Sequence, residues 1–229
     1  MRIVFHLGSR SVLTRHDLGR FVDGSLFCRI ARVVCEAECL PRKELYESWE
    51  VARRVRRRFR GGRVVDLACG HALTAWIMLI LDHSSEHALA VDAQLPPSAA
   101  TLATALARSW PELAARIETT VGDLGSTALQ ASDVVVSTHA CGALSDQVLE
   151  RALSVGARVA ILPCCHDRAR NDTGGLEGWL DAALAIDTTR AARLRQAGYA
   201  VHTQHIPSEI TPKNRLLMGT PSARAKQAV

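Results

Sequence analysis

The sequence has few aromatic residues and no long apolar stretch. Phe, Trp and Tyr make up 4% of the 229 residues, whereas apolar residues together make up 48%. We therefore expect a core of Ala, Val, Leu and Ile. A membrane helix needs about 18–20 apolar residues, and the longest apolar stretch, near residues 76–81, is far shorter. The N-terminus lacks the apolar centre and cleavage site of a signal peptide. These absences predict a cytoplasmic protein with no membrane partner.

Disulfide cross-links are not expected either. The seven cysteines are an odd number, and no secretion signal accompanies them, which argues against a disulfide framework. The net charge of +5 permits an anionic partner without requiring one. Nothing in the sequence indicates an obligate protein partner.

The order of apolar segments predicts an α/β protein. Residues 44–59 have helical periodicity, and the arginines of RRVRRRFR (residues 53–60) are expected to cover the surface of that helix. After Gly61 and Gly62, strand-like and helical segments alternate, which indicates a mostly parallel sheet with helices on both faces. Ser145 or Asp146 is expected to cap one helix, and another helix is predicted over residues 176–196. The expected strands, seven in all, are RVVDLA, HALAVDA, IETTVGD, SDVVVST, ARVAILP, YAVHTQHI and RLLMGTP.

We divide the chain into three parts on this basis. Residues 1–60 are expected to form an N-terminal helical extension beside the sheet, and residues 61–222 the cofactor-binding domain. Residues 223–229 are expected to form a flexible tail. Ligands of such sheets bind beyond the carboxyl ends of the strands, so the loops that follow the strands are the candidate site.

The loop after the first strand favours a positively charged ligand. A dinucleotide-binding loop has three glycines in the pattern GxGxxG, but this loop, Ala68 to Ala72, has only Gly70. The strand also ends in a carboxylate, Asp66, which would repel a pyrophosphate. An amino group and a sulfonium would instead be attracted, which favours S-adenosylmethionine over NAD or FAD.

Acids at the next two strand ends agree with this ligand. Asp92 lies 22 residues after Gly70, where an acid can accept hydrogen bonds from both ribose hydroxyls. Asp123 ends the third strand and is a candidate acceptor for the adenine amino group. Ala93 and Leu124 follow these acids directly and are counted among the cofactor-binding residues. The alternative is that each acid only caps the helix that follows it.

Taken together, the motifs VVDLACGHAL, ALAVDA, TTVGDL, DVVVSTHACGALSD and VAILPCCHD resemble those of class I S-adenosylmethionine-dependent methyltransferases. The resemblance covers about residues 63–221 and implies a Rossmann-like fold with S-adenosylmethionine as cofactor. It also implies cofactor contacts from Ala68 and Thr138. Ala68 departs from the superfamily, which usually has glycine there; the extra methyl group is expected to be tolerated.

The segments HACG (139–142) and CCH (164–166) resemble one branch of that superfamily more closely. This branch includes methyltransferase-like proteins and the eukaryotic tRNA acceptor-stem ribose 2′-O-methyltransferase. The segments RKELYE (42–47) and ITPKNRLL (210–217) are similar to further features of the branch. The resemblance implies an RNA substrate, although the zinc module of the tRNA enzyme is not visible in this sequence.

The fourth strand lacks the [DN]-P-P-[YF] motif typical of enzymes that methylate planar amino groups. Methylation of a base amine by that arrangement is therefore disfavoured, and a hydroxyl, a ring nitrogen or another nucleophile stays open as the acceptor. His139 and His166 are candidate general bases because imidazole titrates near ~6.5, and Asp146 is a third candidate. Alternatively, His139 only hydrogen-bonds the cofactor or a loop carbonyl. Positioning of the nucleophile can also supply much of the rate without a base.

Four cysteines converge on the same edge of the predicted sheet: Cys69, Cys141, Cys164 and Cys165. With the two histidines they have the chemistry of a zinc site, but their spacing matches no standard module. We expect small buried cysteines that line the cofactor pocket, and no metal. The arginines of residues 53–60 are either phosphate contacts or a solvated helix face. Two other functions stay open: a non-catalytic RNA- or protein-binding module with the same fold, and an NAD-dependent oxidoreductase. A protein or small-molecule acceptor is also open.

Overall fold

The computed structural model describes residues 5–222 as seven strands, six α-helices and three short 3-10 turns. The expected tail, residues 223–229, lies outside the described residues. The strands are β1 (Val64–Leu67), β2 (Ala88–Asp92), β3 (Ile117–Val121), β4 (Val134–Ser137), β5 (Arg158–Ile161), β6 (Tyr199–His205) and β7 (Arg215–Pro221). The helices are α1 (Leu26–Ala37), α2 (Arg42–Arg58), α3 (Leu73–Leu81), α4 (Ala99–Ser109), α5 (Ala143–Val155) and α6 (Ala182–Gln196).

All seven strands join one sheet in the order β3-β2-β1-β4-β5-β7-β6. Strands β1 to β5 are parallel, while β7 runs antiparallel to both β5 and β6. The mostly parallel, seven-stranded α/β architecture predicted from the sequence is confirmed. The strand order reverses between β1 and β4, and in sheets of this kind the crevice at such a reversal is where ligands bind.

The N-terminal helices share one hydrophobic core with the sheet. Helix α1 packs against α4, and α2 packs against α3. Five of the ten aromatic residues cluster here, and their neighbouring rings lie 5.1–6.2 Å apart: Phe5, Phe21, Phe27, Tyr46 and Trp49. Elsewhere the core is mainly aliphatic, as the composition predicts.

Two helix starts differ from the expectation. Helix α5 begins after Gly142, whose φ of +57° and ψ of −125° suit glycine. The expected caps have other partners: the Ser145 hydroxyl donates to the Ala140 carbonyl oxygen at 2.7 Å, and Asp146 pairs with Arg190. Helix α6 begins at residue 182 rather than 176, because Asp181 caps it by accepting from the Leu184 N–H at 3.1 Å.

The arginine run does not simply cover the surface of α2, so that expectation was wrong. Arg56 is 1% exposed. Its guanidinium donates to the Met78 carbonyl oxygen at 3.0 Å and the Ser85 hydroxyl at 2.8 Å, and it lies 3.2 Å from Asp82. Arg56 therefore anchors α2 to the end of α3. Burial of a charge is costly unless it is paired and hydrogen-bonded, and these contacts supply partners for the guanidinium N–H groups.

Arg53 and Arg54 are also engaged, since both pair with Glu50 within α2. Of the other three arginines in this run, Arg57 is exposed. Arg58 is exposed and contacts His202, and Arg60 lies 3.6 Å from Asp82. The surface charge available for a phosphate is therefore smaller than the sequence suggests.

Candidate cofactor and acceptor site

The loop after β1 has an unusual backbone. Ala68, Gly70 and Ala72 have φ values of +55°, +54° and +58°. Left-handed conformation costs an L-residue other than glycine roughly 1–2 kcal/mol. Alanine in place of the superfamily's usual glycine at position 68 is therefore destabilising because of its left-handed backbone, and not only because of one added methyl group. At Gly70, an added Cβ would meet only the His139 ring, at 4.0 Å, so the backbone here is open to close approach by a ligand.

Asp92 holds this loop to the end of β2. Its Oδ2 accepts from the Gly70 N–H at 2.8 Å and its Oδ1 from the Gln94 N–H at 3.1 Å. The Cys69 N–H also donates to the Val91 carbonyl oxygen at 3.1 Å. A carboxylate has about four lone-pair positions, so Asp92 keeps acceptor capacity while it orients the loop. The structure brings Asp92 and Gly70 together, and the cofactor contacts expected of both stay a prediction.

Asp66 is enclosed beneath the same loop. It is 1% exposed, and its Oδ2 accepts from the Ala75 N–H in the first turn of α3 at 3.2 Å. Burial raises the pKa of Asp66 to about 8; the Ala75 hydrogen bond opposes this shift and the Asp92 charge adds to it. A cation close to Asp66 would favour its ionised form.

Asp123 lies at the end of β3, on the surface. Its backbone carbonyl oxygen accepts from the Thr127 hydroxyl at 3.1 Å, whereas its carboxylate has no hydrogen-bond partner among residues 5–222. Leu124 is buried in an apolar cluster with Ala68 and Val91. Ala93 is exposed directly after β2. The ends of β2 and β3 thus combine an exposed, free carboxylate with a buried apolar cluster.

The end of β4 is tied closely to β1 and α3. The Ser137 hydroxyl donates to the Leu67 carbonyl oxygen at 2.6 Å. Thr138 is buried, and its hydroxyl lies 3.0 Å from the Thr74 hydroxyl. Thr138 therefore stands at the crevice but already has a partner there, and its contact with the cofactor stays a prediction.

His139 lies between the β1 loop and the start of α2. Burial lowers its pKa, as do the charges of Lys43 and His71, while Glu44 and Glu47 act in the opposite direction. The imidazole is consequently neutral near pH 7, the form that accepts a proton.

Helix α2 supplies polar residues to which the sequence analysis assigned no role. Lys43 Nζ donates to Glu47 Oε1 at 2.6 Å, and Glu44 Oε2 lies 3.7 Å from His71 Nδ1. His71 Nε2 lies 2.9 Å from the Ser98 hydroxyl. Burial raises the pKa of Glu44, but the charges of His71, His139 and Lys43 and the His71 hydrogen bond lower it overall. The only sequence signal for these residues was the resemblance of residues 42–47.

Asp146, a candidate base, is held by cations. Its two carboxylate oxygens each accept from Arg190 at 2.9 Å, and Oδ2 also accepts from Asn171 Nδ2 at 2.6 Å. The Arg190 side chain is 1% exposed. Catalysis by Asp146 stays a prediction, and this buried ion pair argues for a structural role.

His166, the other candidate, joins the same network through α6. Its Nε2 lies 2.8 Å from Asp187 Oδ1, and Asp187 also pairs with Arg190 and Arg215. Burial opposes ionisation of Asp187, but the His166 hydrogen bond and the Arg215 contact lower its pKa. His166 Nδ1 is buried without a partner in the described part of the chain. Proton transfer by His166 likewise stays a prediction.

The cysteines divide into two groups. Cys69 is 3% exposed next to Gly70, and burial raises the pKa of its thiol, as expected for a small core residue. Cys141 and Cys165 are exposed and Cys164 is half-buried. The expectation that all four are buried in the cofactor pocket was therefore wrong for these three.

Comparisons with known proteins agree with the geometry. A family model described as "Methyltransferase domain" matches residues 43–172, more than half of the chain. An O-methyltransferase family protein from Burkholderia thailandensis superposes with a TM-score of 0.50 at 20% identity, over 90% of this chain and 68% of that one. The mitomycin 7-O-methyltransferase MmcR superposes with a TM-score of 0.51 at 18% identity, over 93% and 65%.

Identities this low establish a common fold alone, and the chain spans about two thirds of each neighbour's length. No curated protein matches the sequence. In residues 5–222, no helix has the length and apolar character needed to cross a bilayer.

Proposed function

The chain belongs to the methyltransferase-domain family and has the class I methyltransferase fold; on this premise we propose that it transfers a methyl group from S-adenosylmethionine. The observation that carries the proposal is the pairing of Asp92 with the Gly70 backbone at the crevice between β1 and β4. This arrangement suits a bound nucleoside. The acid can accept hydrogen bonds from the ribose hydroxyls, and the glycine leaves room for the nucleoside to approach the loop backbone closely.

The remaining residues fit this cofactor. Asp66 is a buried acid whose pKa burial raises to about 8, and a nearby amino group or sulfonium would favour its ionised form. The Asp123 carboxylate is free to accept from the adenine amino group, and Leu124, Ala68 and Ala93 would border the base. When bound, the cofactor supplies an electrophilic methyl group on sulfur.

On the acceptor side we assign His139 as the residue nearest the reacting nucleophile. It is neutral near pH 7 and lies beside Gly70, so it is suited to accept a proton from a hydroxyl or ring nitrogen. The acids of α2, Glu44 and Glu47, would stabilise the resulting imidazolium. If His139 acts in this way, kcat should fall at low pH with a midpoint below ~6.5, and His139→Gln should remove that dependence.

Calorimetric titration with S-adenosylhomocysteine tests the cofactor assignment. Hydrogen bonds to a charged group contribute roughly 1.5–3 kcal/mol each, so we expect Asp92→Ala to weaken binding more than about tenfold. Glu118→Ala, which removes an exposed acid of β3, is the matched control and should bind normally. An unchanged dissociation constant for Asp92→Ala, or tighter binding of NAD than of S-adenosylhomocysteine, would contradict the assignment.

RNA is the acceptor class that we propose, and the support is the resemblance of the HACG and CCH segments. Arg168, Arg170 and Lys213 are exposed on the loops that follow β5 and precede β7, where phosphate contacts would be useful. Transfer of a radiolabelled methyl group into fractionated cell extract tests this, with Asp92→Ala as the inactive control. Label in protein or in small molecules instead of RNA would overturn the RNA assignment.

We also propose that residues 1–60 form an extension that completes the acceptor side, with the cofactor-binding domain at 61–222. Lys43, Glu44 and Glu47 support this division, because they bring the start of α2 to His139. The family match nevertheless begins at residue 43, inside α2.

A further inference from the structure

Two neighbouring loops bring three thiols together. Cys141 lies in the loop between β4 and α5, and Cys164 and Cys165 lie in the loop after β5. Because β4 and β5 are adjacent and parallel, both loops leave the same edge of the sheet. A hydrogen bond from the Gly142 N–H to the Cys165 carbonyl oxygen, at 3.3 Å, joins them.

The sulfur atoms have the spacing of a metal-binding cluster. All three Sγ atoms lie within 4.8 Å of one another, and the Sγ atoms of Cys164 and Cys165 are 3.7 Å apart. Tetrahedral zinc, with Zn–S bonds near 2.3 Å, requires sulfur separations of about 3.8 Å. Cys141 Sγ is only 2.7 Å from Cys164 Sγ, so it must move outward by about 1 Å to reach this geometry; its exposed position leaves room for this movement.

We propose that Cys141, Cys164 and Cys165 bind one thiophilic divalent cation, Zn²⁺, on the acceptor side of the crevice. Thiolate ligands select zinc over the hard cations Mg²⁺ and Ca²⁺. The cation and three thiolates would carry a net charge of −1, and cationic side chains are close by.

Two cationic side chains lie near the thiols: Lys43 near Cys141 and Lys213 near Cys165. Their positive charge is complementary to a zinc–thiolate group with a net charge of −1. Metal ligation requires the deprotonated form of cysteine.

Packing does not account for these three residues. Cys28 and Cys35, on the buried face of α1, are 7% and 0% exposed, as small apolar residues should be. Cys141 and Cys165 are exposed instead. The three thiolates together would leave one coordination position of a tetrahedral ion available. Three protein ligands and an open position are typical of catalytic rather than structural zinc. An acceptor atom or a water molecule would occupy the open position. This consequence rests on the proposed methyltransferase function, whereas the binding of the metal does not.

Metal binding is tested on the reduced, full-length protein after treatment with a chelator. Titration with Co²⁺ should give a thiolate-to-metal charge-transfer absorption that saturates at one equivalent and disappears when Zn²⁺ is added. Serine substitution of any one of the three cysteines should weaken Co²⁺ binding at least about tenfold. Cys39→Ser, which removes a half-buried thiol after α1, is the matched control and should bind as the wild type does.

A second measurement needs no variant. Bound Zn²⁺ should protect Cys141, Cys164 and Cys165 of the wild-type protein from alkylation, as mapped by peptide mass spectrometry, and should leave Cys39 unprotected. Absence of the charge-transfer band, equal alkylation with and without Zn²⁺, or a Cys141–Cys164 disulfide in the reduced preparation would overturn the proposal. Calorimetry with S-adenosylhomocysteine on the metal-free protein separates failure of the zinc site from failure of the cofactor site.

Discussion

Asp66→Asn should change how the stability of the protein depends on pH. The Asp66 carboxyl group is 1% exposed, and burial raises its pKa from 3.8 to about 8. In the unfolded chain the group ionises near 3.8, while in the folded protein it keeps its proton until about pH 8. Folded wild-type protein therefore binds more protons over this interval, and its free energy of unfolding falls as pH rises.

The size of the effect follows from the shift. One pKa unit corresponds to about 1.4 kcal/mol, so between about pH 5 and pH 8 the wild type should lose roughly 3–4 kcal/mol relative to Asp66→Asn. Above about pH 8 the difference should become constant, because both states of the wild type are then ionised. The Asn carbonyl oxygen can still accept from the Ala75 N–H, which preserves the one hydrogen bond of this side chain.

Urea unfolding of both proteins across this pH range, followed by circular dichroism, measures the difference. Asp82→Asn is the control, because the pKa of Asp82 is lowered: burial is outweighed by hydrogen bonds from Ser84 and Gly61 and by Arg56. Asp82 is thus ionised in both states throughout the range, and its loss should give an offset that does not vary with pH. Parallel curves for the wild type and Asp66→Asn would refute the reasoning.

Two further predictions concern stability, each measured by urea unfolding at one pH. Ala68→Gly should stabilise the protein by up to about 1 kcal/mol because glycine relieves the left-handed backbone at φ +55°. The control, Ala75→Gly within α3, should destabilise it by about 1 kcal/mol. A loss of stability in Ala68→Gly would contradict the inferred backbone strain. Arg56→Ala should cost about 3–5 kcal/mol because it leaves Asp82 buried beside an empty site, and Arg57→Ala on the same helix should stay within about 0.5 kcal/mol of wild type. Equal effects of the two arginine substitutions would refute the buried anchor.

Local patterns were sufficient for the seven strands and for the mostly parallel sheet. The β-branched runs and the alternation with helical segments predict β1 to β5 in parallel, because each strand pair is joined by a crossover that buries both faces. The acids Asp66, Asp92 and Asp123 were identified for the same reason: each ends a strand, and parallel strands end at one edge. The pairing of Asp92 with Gly70 follows from this register.

Residues far apart in sequence, and the surroundings of each charge, were decided by the tertiary structure. The sequence pattern predicts that Arg56 is one of six surface arginines. Its position on α2 instead faces the end of α3, where Asp82, the Met78 carbonyl oxygen and the Ser85 hydroxyl accept from it. Asp146 reads as a helix cap or a base, but α6 brings Arg190 to both of its oxygens.

The sequence by itself determined the fold class and the sheet edge at which the candidate site lies, because hydrophobic periodicity and strand ends are local properties. Only the tertiary structure decided which polar residues at that edge are free. In the folded protein Asp146 forms an ion pair with Arg190, and the start of α2 lies near His139. Cys141, Cys164 and Cys165 lie close together. Such contacts depend on how separate loops pack, and no spacing along the chain records that packing.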